Sequence, residues 1–374
     1  MKKNTQKKPI WVINGHFAAQ RLTGVQRYAH EIVRALDEIL CGNPDVADRI
    51  GFQLVVPSSG TQLSLSSIAG RSAPFGSGHL WEQLILPWYQ KTGILSLGNF
   101  GPILMRRGVV CIHDANTFLE PDSYSRTFRS FYRLLLPQIG RRAERVATVS
   151  KYSSDMLAKF GIACSDKIFV APNGHEHVRQ WDSQKATLSL ISLLRRPYVL
   201  LLGSQAKHKN IGVVLASARV LDEAGIDLVV VGGSSKIFQN TSEVRGPNIH
   251  YAGYVSDHDL AALYKGALCL AFPSTTEGFG LPPLEAMANG CPVISSNTAS
   301  LREVGGDAVL YADPHSQADW PRAIVDLLTY EHVRQDFIAK GKERALRFSW
   351  ERSAENYVNE LLGVSSSEMR RPAL

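Results

Sequence analysis

Long apolar segments are absent from this sequence. No run approaches the roughly 20 residues that a helix needs to cross a bilayer. The basic N-terminus, residues 1–8, is followed by a run of only five residues before Gly15, which is too short for the apolar part of a signal peptide. We therefore expect neither a membrane-spanning helix nor a secretory leader, and we expect the protein to be cytoplasmic.

Cysteine is scarce and irregularly placed. The five cysteines are odd in number, widely scattered and without the spacing of a zinc site. Three of them lie in or beside apolar runs of strand length, where a free cysteine behaves as a small hydrophobic residue. This pattern argues against a disulfide framework and indicates a reducing compartment.

The composition is that of an ordinary globular protein, spread over a long chain. With 374 residues, of which 44% are hydrophobic and 20% charged, two domains are expected rather than one. The net charge of +7 allows phosphates, anionic membrane surfaces or nucleic acid as partners. No nucleic-acid recognition motif accompanies the charge, so we expect no nucleic-acid partner.

Strand-like and helix-like segments alternate along both halves, which predicts parallel, doubly wound α/β sheets. A first domain is expected over residues 1–180, a second over 197–348 and a C-terminal helix over 349–374. Residues 58–78 are rich in serine and glycine and are predicted to form an exposed loop. The apolar runs are residues 10–14, 52–56, 109–112, 146–149, 198–203, 227–231, 268–272 and 292–294.

One stretch, residues 267–292, organises the C-terminal half. An apolar strand leads into a polar turn that contains Gly278 and Gly280, and Pro282 and Pro283 then open a helix that ends at Gly290. In open parallel sheets, ligands bind outside the carboxyl ends of the strands. Free backbone N–H groups and the helix dipole at such a turn favour a phosphate group.

Two carboxylates accompany this presumed anion site. Glu277 lies in the turn, and Glu285, eight residues later, is expected in the first helical turn. Acids beside an anion site are explained if they bind hydroxyls, so the pattern favours a phosphorylated, hydroxyl-rich ligand. A structural interpretation stays open, because the helix dipole alone favours an acid in a first turn.

Further candidates lie in other loops that follow predicted strands. Lys207, His208 and Lys209 could supply positive charge to a leaving diphosphate, although a solvated loop would look similar. Gly24, at the start of a predicted helix, would let a phosphate or an acceptor approach the backbone, with a plain turn glycine as the alternative. His113 ends the strand at 109–112, a position that by itself is typical of a structural role.

The string from Glu277 to Val293, which reads EGFGLPPLEAMANGCPV, resembles the Glu-x7-Glu signature of family 4 retaining glycosyltransferases. The resemblance spans nearly the whole chain and is densest from Leu201 to Asp313. It implies the GT-B fold, in which two Rossmann-like, doubly wound domains face a cleft and the last helix crosses back to the first domain. The first domain, residues 1–180, is then expected to bind the acceptor, and the second, residues 197–348, the nucleotide sugar. It also implies transfer of a sugar to an acceptor hydroxyl with retention of configuration.

Site roles carry over from the resemblance residue by residue. Three residues are expected to be catalytic. Glu277 contacts the donor sugar, and His113 contacts it from the other domain. Lys209 stabilises the departing diphosphate. The residues expected to bind the donor are Glu285 at the ribose hydroxyls, Gly24 near the diphosphate, and Ser204, Lys207, His208, Phe279, Gly280 and Leu281.

The sequence departs from the family pattern at one point. Many members have an arginine where this chain has Ser204 or His208. Its absence leaves open whether Lys207 or His208 takes its place, with Arg27 as a further candidate for phosphate contact.

No metal or other cofactor is expected. Asp257 and Asp259 form an Asp-x-Asp pattern that chelates a metal in other sugar transferases. Here Ser256, with Asp259 three residues later, predicts a helix N-terminal cap instead.

A basic region over residues 124–145 interleaves arginines with aromatic and leucine residues. It predicts either a surface that rests peripherally on anionic lipid at the inner face of the cytoplasmic membrane, or an amphipathic helix with a solvated basic face. On the first interpretation the acceptor is a lipid-linked saccharide in surface polysaccharide biosynthesis, either exopolysaccharide or lipopolysaccharide O-antigen.

The expected activity is therefore a metal-independent, retaining hexosyltransferase with a nucleotide-sugar donor, for which GDP-mannose is the first choice. The alternative on the same fold is a nucleotide-sugar epimerase or a phosphorylase. A Rossmann dehydrogenase is disfavoured, because the Gly-x-Gly-x-x-Gly fingerprint is missing after the first strand.

Overall fold

The computed structural model describes residues 8–74, 76–203, 206–232 and 246–368, and the chain divides into two compact units. The first unit comprises the described parts of Met1–Ala115, Thr127–Asn173 and Ser349–Leu374, and the second comprises those of Asn116–Arg126 and Gly174–Phe348. Residues 116–126 thus group with the second unit, although they lie within the span expected for the first domain. No helix in the described ranges is long and apolar enough to cross a membrane.

The first unit contains a seven-stranded parallel sheet in the order β3-β2-β1-β4-β5-β6-β7. Its central strand, β4, is buried along its whole length, and the neighbouring β1 along almost its whole length, as strands covered on both faces must be. The strands are β1 (Ile10–Asn14), β2 (Gly51–Pro57), β3 (Ala69–Ala73), β4 (Gly93–Ser96), β5 (Gly108–Cys111), β6 (Arg145–Thr148) and β7 (Ile168–Val170). Its helices are α1 (Gly24–Gly42), α2 (Pro44–Arg49), α3 (Gly78–Leu84), α5 (Arg126–Arg142), α6 (Lys151–Lys159) and α15 (Trp350–Glu368).

The expectation of a continuous exposed loop over residues 58–78 is wrong in part. β3 lies within this stretch and pairs in parallel with β2 along its full length. Four of its five residues are exposed, because β3 is the edge strand of the sheet. An edge strand can be built from Ala, Gly, Arg and Ser, whose low apolar content gives no strand signal in the sequence.

The second unit contains a six-stranded parallel sheet in the order β10-β9-β8-β11-β12-β13. The strands are β8 (Tyr198–Leu202), β9 (Asp227–Val231), β10 (Ile249–Gly253), β11 (Cys269–Phe272), β12 (Val293–Ser296) and β13 (Leu310–Ala312). The helices are α4 (Asn116–Leu119), α7 (Ser189–Leu193), α8 (Gly212–Leu215), α9 (Ala218–Glu223), α10 (Asp257–Gly266), α11 (Leu281–Ala288), α12 (Leu301–Gly305), α13 (Asp319–Thr329) and α14 (Glu331–Ala345). Two parallel-sheet α/β units confirm the predicted fold class.

The C-terminal helix α15 packs against α1 of the first unit. The hydroxyls of Tyr28 and Tyr357 lie 3.0 Å apart in this contact, and both side chains are fully buried. Near the end of the helix, Arg107 donates to the carbonyl oxygen of Val364 over 2.6 Å. These buried contacts make the last helix a structural part of the first unit.

Each sheet has one point at which the strand order reverses. In the first sheet the chain builds outward from β1 on one side and from β4 on the other, and in the second sheet β8 and β11 have these roles. Ligands of open α/β sheets bind outside the carboxyl ends of the strands at such switch points. We therefore expect ligands to bind at the loops after β1, β4, β8 and β11.

Candidate functional site

The turn after β11 is built for a close approach of a ligand to the backbone. Gly280 has φ +103°, and a Cβ atom there would lie 2.7 Å from Cδ2 of Leu301, so only glycine fits. The backbone N–H groups of Phe279, Gly280 and Leu281 have no acceptor among the described residues. Consecutive unpaired N–H groups at the start of a helix form an anion-binding site.

Glu277, in the same turn, contacts a lysine from the loop after β8. The Nζ atom of Lys209 lies 2.6 Å from Oε1 of Glu277, and both side chains are largely buried. Lys209 also lies over the ring of Phe272, with Nζ 5.5 Å from the ring centroid. The fold thus brings a predicted phosphate-binding cation and a predicted sugar-binding carboxylate into direct contact at the switch point between β8 and β11.

Glu285 lies one turn deeper in α11 than expected. The helix begins at Leu281, before the two prolines, so Glu285 falls in the second turn, and the first turn contains no acid. The helix dipole therefore does not account for its position, because that effect falls off within the first turn. Glu285 is 7% exposed, and its Oε1 atom lies 3.1 Å from Nε2 of His177, which is 2% exposed.

His177 is the partner that sequence reasoning missed. It lies in a short 3₁₀ helix, Glu176–Gln180, at the end of the span expected for the first domain, where no motif was identified. Its ring packs edge-on against Trp181. The sequence offered one hint, which is the pair of closely spaced histidines, His175 and His177. A histidine that becomes buried is normally hydrogen-bonded, so each of them needs a polar partner.

The structure bears on the question of which residue replaces the family arginine. His208 is buried, and its pKa is lowered from the ordinary value of 6.5 by burial and by the charge of Lys209. A neutral imidazole supplies no positive charge. Its buried Nδ1 atom has no hydrogen-bond partner within the described part of the chain and is available to a ligand. Lys207 is exposed, and Ser204 lies outside the described residues.

The two loops that hold these side chains are tied to each other. The amide of Thr275 donates to the carbonyl oxygen of His208 over 2.8 Å, and Nδ2 of Asn210 donates to the carbonyl oxygen of Pro273 over 3.2 Å. Ser300 donates to the carbonyl oxygens of Glu277 and Phe279 over 2.9 and 3.0 Å. These bonds fix the backbone from which Lys209 and Glu277 project.

The first-unit candidates lie in loops and helix starts of their own sheet. Nε2 of His113 lies 2.9 Å from the carbonyl oxygen of Leu97, so this nitrogen carries the proton and Nδ1 is the acceptor. Burial lowers the pKa of His113 to about 4, although the bond to Leu97 opposes the shift, so the imidazole is neutral at pH 7. Gly24 is the first residue of α1, where a Cβ atom would meet nothing within 4 Å, and Arg27 lies in the first turn of that helix.

The Asp-x-Asp pattern forms the predicted helix cap. Ser256 Oγ accepts from the amide of Asp259 over 3.1 Å, and Oδ2 of Asp259 accepts from the amide of Ser256 over 3.1 Å. Oδ1 of Asp259 accepts from the amides of Thr187 and Leu188. Asp259 is thus fully engaged in holding backbone, which is the structural role that the spacing predicted.

Comparisons with solved structures identify the fold as GT-B. Sucrose-phosphate synthase from Thermosynechococcus elongatus superposes with a TM-score of 0.72 at 17% identity, covering 96% of this chain and 100% of that one. WaaG, a glycosyltransferase involved in lipopolysaccharide biosynthesis, superposes with a TM-score of 0.67 at 16% identity, covering 94% and 98% of the two chains.

Sequence comparisons then identify the family. Residues 190–344 match the glycosyl transferases group 1. The O-antigen chain mannosyltransferase RfbU of Salmonella typhimurium is 26% identical over 82% of this chain and 87% of its own. The O-antigen chain mannosyltransferase B of Escherichia coli is 30% identical over 69% of this chain and 71% of its own. The chain belongs to the group 1 glycosyltransferases.

The protein is therefore a glycosyltransferase. The expected class of activity is confirmed, and the alternative of an epimerase or a phosphorylase is not favoured.

Proposed function

We propose that this protein transfers a mannosyl group from GDP-mannose to a lipid-linked saccharide, with retention of anomeric configuration, in the assembly of a surface polysaccharide such as an O-antigen. The names of the two mannosyltransferase relatives support the sugar and the pathway. The observation that carries the proposal is the contact between Lys209 and Glu277. Glu277 lies two residues before the turn at 279–281, whose N–H groups have no acceptor among the residues that the structure describes.

In this scheme the acceptor hydroxyl attacks the face of the sugar from which the diphosphate leaves. The bond from the sugar to the diphosphate breaks, the bond to the acceptor oxygen forms, and the proton of the hydroxyl passes to the departing diphosphate. Lys209 and the N–H groups of Phe279, Gly280 and Leu281 stabilise the negative charge that develops on the departing diphosphate. Glu277 faces the sugar ring, where positive character develops as the glycosidic bond breaks.

The other assignments concern binding of the donor. Glu285, held by His177, accepts hydrogen bonds from the ribose hydroxyls. His113 offers the lone pair of Nδ1 to a hydroxyl of the donor sugar, because its Nε2–H is already committed to Leu97. Gly24 leaves the start of α1 open to the diphosphate.

No metal has a role in this scheme. The charge stabilisation comes from Lys209 and backbone N–H groups, and the carboxylate oxygens of Asp259 are engaged in the cap of α10. Mannosyl transfer should accordingly proceed at the same rate in the presence of EDTA.

A donor screen tests the proposed function. A ligand at 100 times its Kd stabilises the fold that binds it by about 2.7 kcal/mol, so GDP-mannose should raise the Tm by several degrees, and UDP-glucose and UDP-N-acetylglucosamine should not. Transfer of mannose to a saccharide, followed by mass spectrometry in EDTA, completes the test. Stabilisation by a UDP-sugar alone would refute the donor assignment, and loss of activity in EDTA with rescue by manganese would refute the metal-free scheme.

The membrane part of the proposal rests on exposed side chains of α3 and α5. Phe128, Phe131 and Leu134 of α5 are exposed, and so are Leu80 and Leu84 of α3. The ring contact between Phe131 and His79 shows that α3 and α5 are neighbours. Exposed arginines flank these apolar side chains on α5, at positions 126, 133, 141 and 142. Apolar side chains beside basic ones are the pattern that binds anionic lipid.

We expect the protein to float with vesicles that contain anionic lipid and to be released by salt. Each arginine near such a surface contributes about 1 kcal/mol, so reversing two charges in Arg126→Glu/Arg133→Glu should weaken binding by tenfold or more. Arg322→Glu, on an exposed position of α13 in the other unit, is the matched control. Equal flotation with neutral and anionic vesicles, or none with either, would contradict this assignment.

A further inference from the structure

Besides the cluster around Lys209 and Glu277 in the second unit, the first unit contains a polar cluster of its own, at the end of β1. Glu82 of α3 is 2% exposed, and its Oε1 atom accepts from Nδ2 of Asn14 over 2.8 Å and lies 3.2 Å from Nδ1 of His16. Its Oε2 atom lies 2.8 Å from Nδ1 of His79. One buried carboxylate thus holds two imidazoles and an amide, and none of these residues has a role in the scheme for the donor.

The cluster lies at the switch point of the first sheet. Asn14 is the last residue of β1, and its Nδ2 atom also lies 3.3 Å from Oγ of Ser96, the last residue of β4. His16 follows directly in a short 3₁₀ helix, Gly15–Ala19. In the second sheet, the equivalent position between β8 and β11 holds Lys209 and Glu277. The same topological rule therefore predicts a ligand at this cluster too.

The electrostatics of the cluster leave polar atoms available to that ligand. Burial would raise the pKa of Glu82, but hydrogen bonds from His16, His79 and Asn14 lower it to about 2, so Glu82 is ionised. An ionised carboxylate accepts, so each histidine donates from Nδ1 and its Nε2 atom points away from Glu82. Neither Nε2 atom has a hydrogen-bond partner among the described residues.

Aromatic rings border the outward side of the cluster. The ring of His79 lies 4.9 Å from that of Phe100 and 5.8 Å from that of Phe131, measured between centroids. His79 is half-exposed and Phe131 is 41% exposed, so a ligand can reach both. A few fixed polar groups beside aromatic surface are typical of small-molecule sites, and a hexose presents hydroxyls at its rim and apolar C–H groups on its faces.

We propose that His16 and His79, fixed by Glu82 and bordered by Phe131, form the subsite that binds the hydroxyls of the acceptor sugar. This assignment rests on the proposed function, which supplies a saccharide acceptor. Phe131 belongs both to this subsite and to the apolar face assigned above to the membrane. A lipid-linked acceptor therefore has its sugar and its lipid bound by adjoining parts of one unit.

A metal ion is the competing occupant. Within the described parts of the chain, His16, His79 and Glu82 are the grouping of three ligand-type side chains close enough to hold one. Tetrahedral zinc with bonds near 2.1 Å keeps its ligand atoms about 3.4 Å apart, whereas Nδ1 of His79 lies 2.8 Å from Oε2 of Glu82. That separation is a hydrogen bond, which favours the sugar.

The test is kinetic and uses the full-length protein with octyl glycosides of mannose, rhamnose, galactose and N-acetylglucosamine as acceptors. His79→Gln and His16→Gln should each raise the KM of the best acceptor by about three- to tenfold, the scale of one lost hydrogen bond. The KM of the donor should stay within twofold. His332→Gln, on an exposed position of α14, is the control and should change neither.

Direct binding separates this inference from the proposed function. Saturation-transfer NMR of the octyl glycosides with enzyme alone needs no donor, so it reports on the subsite even if GDP-mannose proves to be the wrong donor. Signals that weaken in His79→Gln and persist in His332→Gln support the assignment. Equal signals in both variants, an absence of signal from every glycoside, or stoichiometric zinc binding to the metal-free protein that His79→Gln abolishes would each overturn it.

Discussion

Replacing Lys209 by alanine should lower kcat by about a hundred- to a thousandfold, the scale of losing one preorganised donor from an oxyanion-type site. The effect falls on kcat because the negative charge of the diphosphate increases during the reaction. The diphosphate becomes more negative as the glycosidic bond breaks, so an ammonium group near it stabilises the transition state more than the bound donor. The KM of the donor should rise by much less. Steady-state kinetics with varied donor concentration measure both quantities.

Lys207→Ala is the matched control, because it removes the same charge from an exposed side chain in the same short 3₁₀ helix, Lys207–Lys209. We expect it to lower kcat less than tenfold. If Lys207→Ala lowered kcat as much as Lys209→Ala does, Lys207 would be the residue that takes the place of the arginine found in many family members. If neither variant lost activity, the charge of the diphosphate would have to be met elsewhere, and the loop after β8 would lose its assigned role.

A double-mutant cycle tests whether Lys209 and Glu277 act as a pair. Their charged atoms lie 2.6 Å apart, and residues in contact give non-additive effects of about 0.5–3 kcal/mol. We therefore expect Lys209→Ala/Glu277→Gln to be much less impaired than the product of the two single effects. Effects that multiply would show that the two residues act independently of each other. A Tm measured for each variant keeps a loss of stability from being interpreted as a loss of catalysis.

The sequence predicts best where local rules decide the structure. The helix cap at Ser256 and Asp259 follows from spacing alone, and the strand, turn and helix around Glu277 follow from an apolar run, glycines and prolines in order. These features depend on residues that are close in the chain, so tertiary context has little chance to override them.

Long-range pairs are what the sequence could not predict. His177 and Glu285 are 108 residues apart, and His16 and Glu82 are brought together only by the pairing of the strands and the packing of α3. Neither pair has a spacing rule that would reveal it. The edge strand β3 was missed for a related reason, because its residues are placed by pairing with β2 and not by their own apolar character.

Substituting the two glutamates of the signature should separate binding of the nucleotide from stabilisation of the sugar. Glu285→Gln should mainly weaken donor binding, since contacts to the ribose hydroxyls persist unchanged from the ground state to the transition state. A hydrogen bond to a charged group contributes about 1.5–3 kcal/mol, which corresponds to a rise in donor KM of roughly ten- to a hundredfold. Glu277→Gln should lower kcat more than it raises KM, because its partner on the sugar gains charge only as the bond breaks.

His177→Asn provides a variant that leaves both carboxylates in place. His177 holds Oε1 of Glu285 at 3.1 Å but has no assigned contact with the donor. Its replacement should raise the donor KM in the same direction as Glu285→Gln and by a smaller factor, with kcat little changed. An effect of His177→Asn on kcat alone would mean that the pair does not position the ribose.

GDP completes the comparison, because it carries the ribose and the diphosphate but no sugar. Calorimetry should show a weaker affinity for GDP in Glu285→Gln. In Glu277→Gln the affinity should be unchanged or slightly higher, since Lys209 then loses the carboxylate that competes with the diphosphate for its charge. If both variants bound GDP as the wild type does, Glu285 would not be a ribose ligand, and its buried contact with His177 would have a structural role alone. The nucleotide would then have to be sought away from α11, even though the N–H groups at the start of that helix remain suited to an anion.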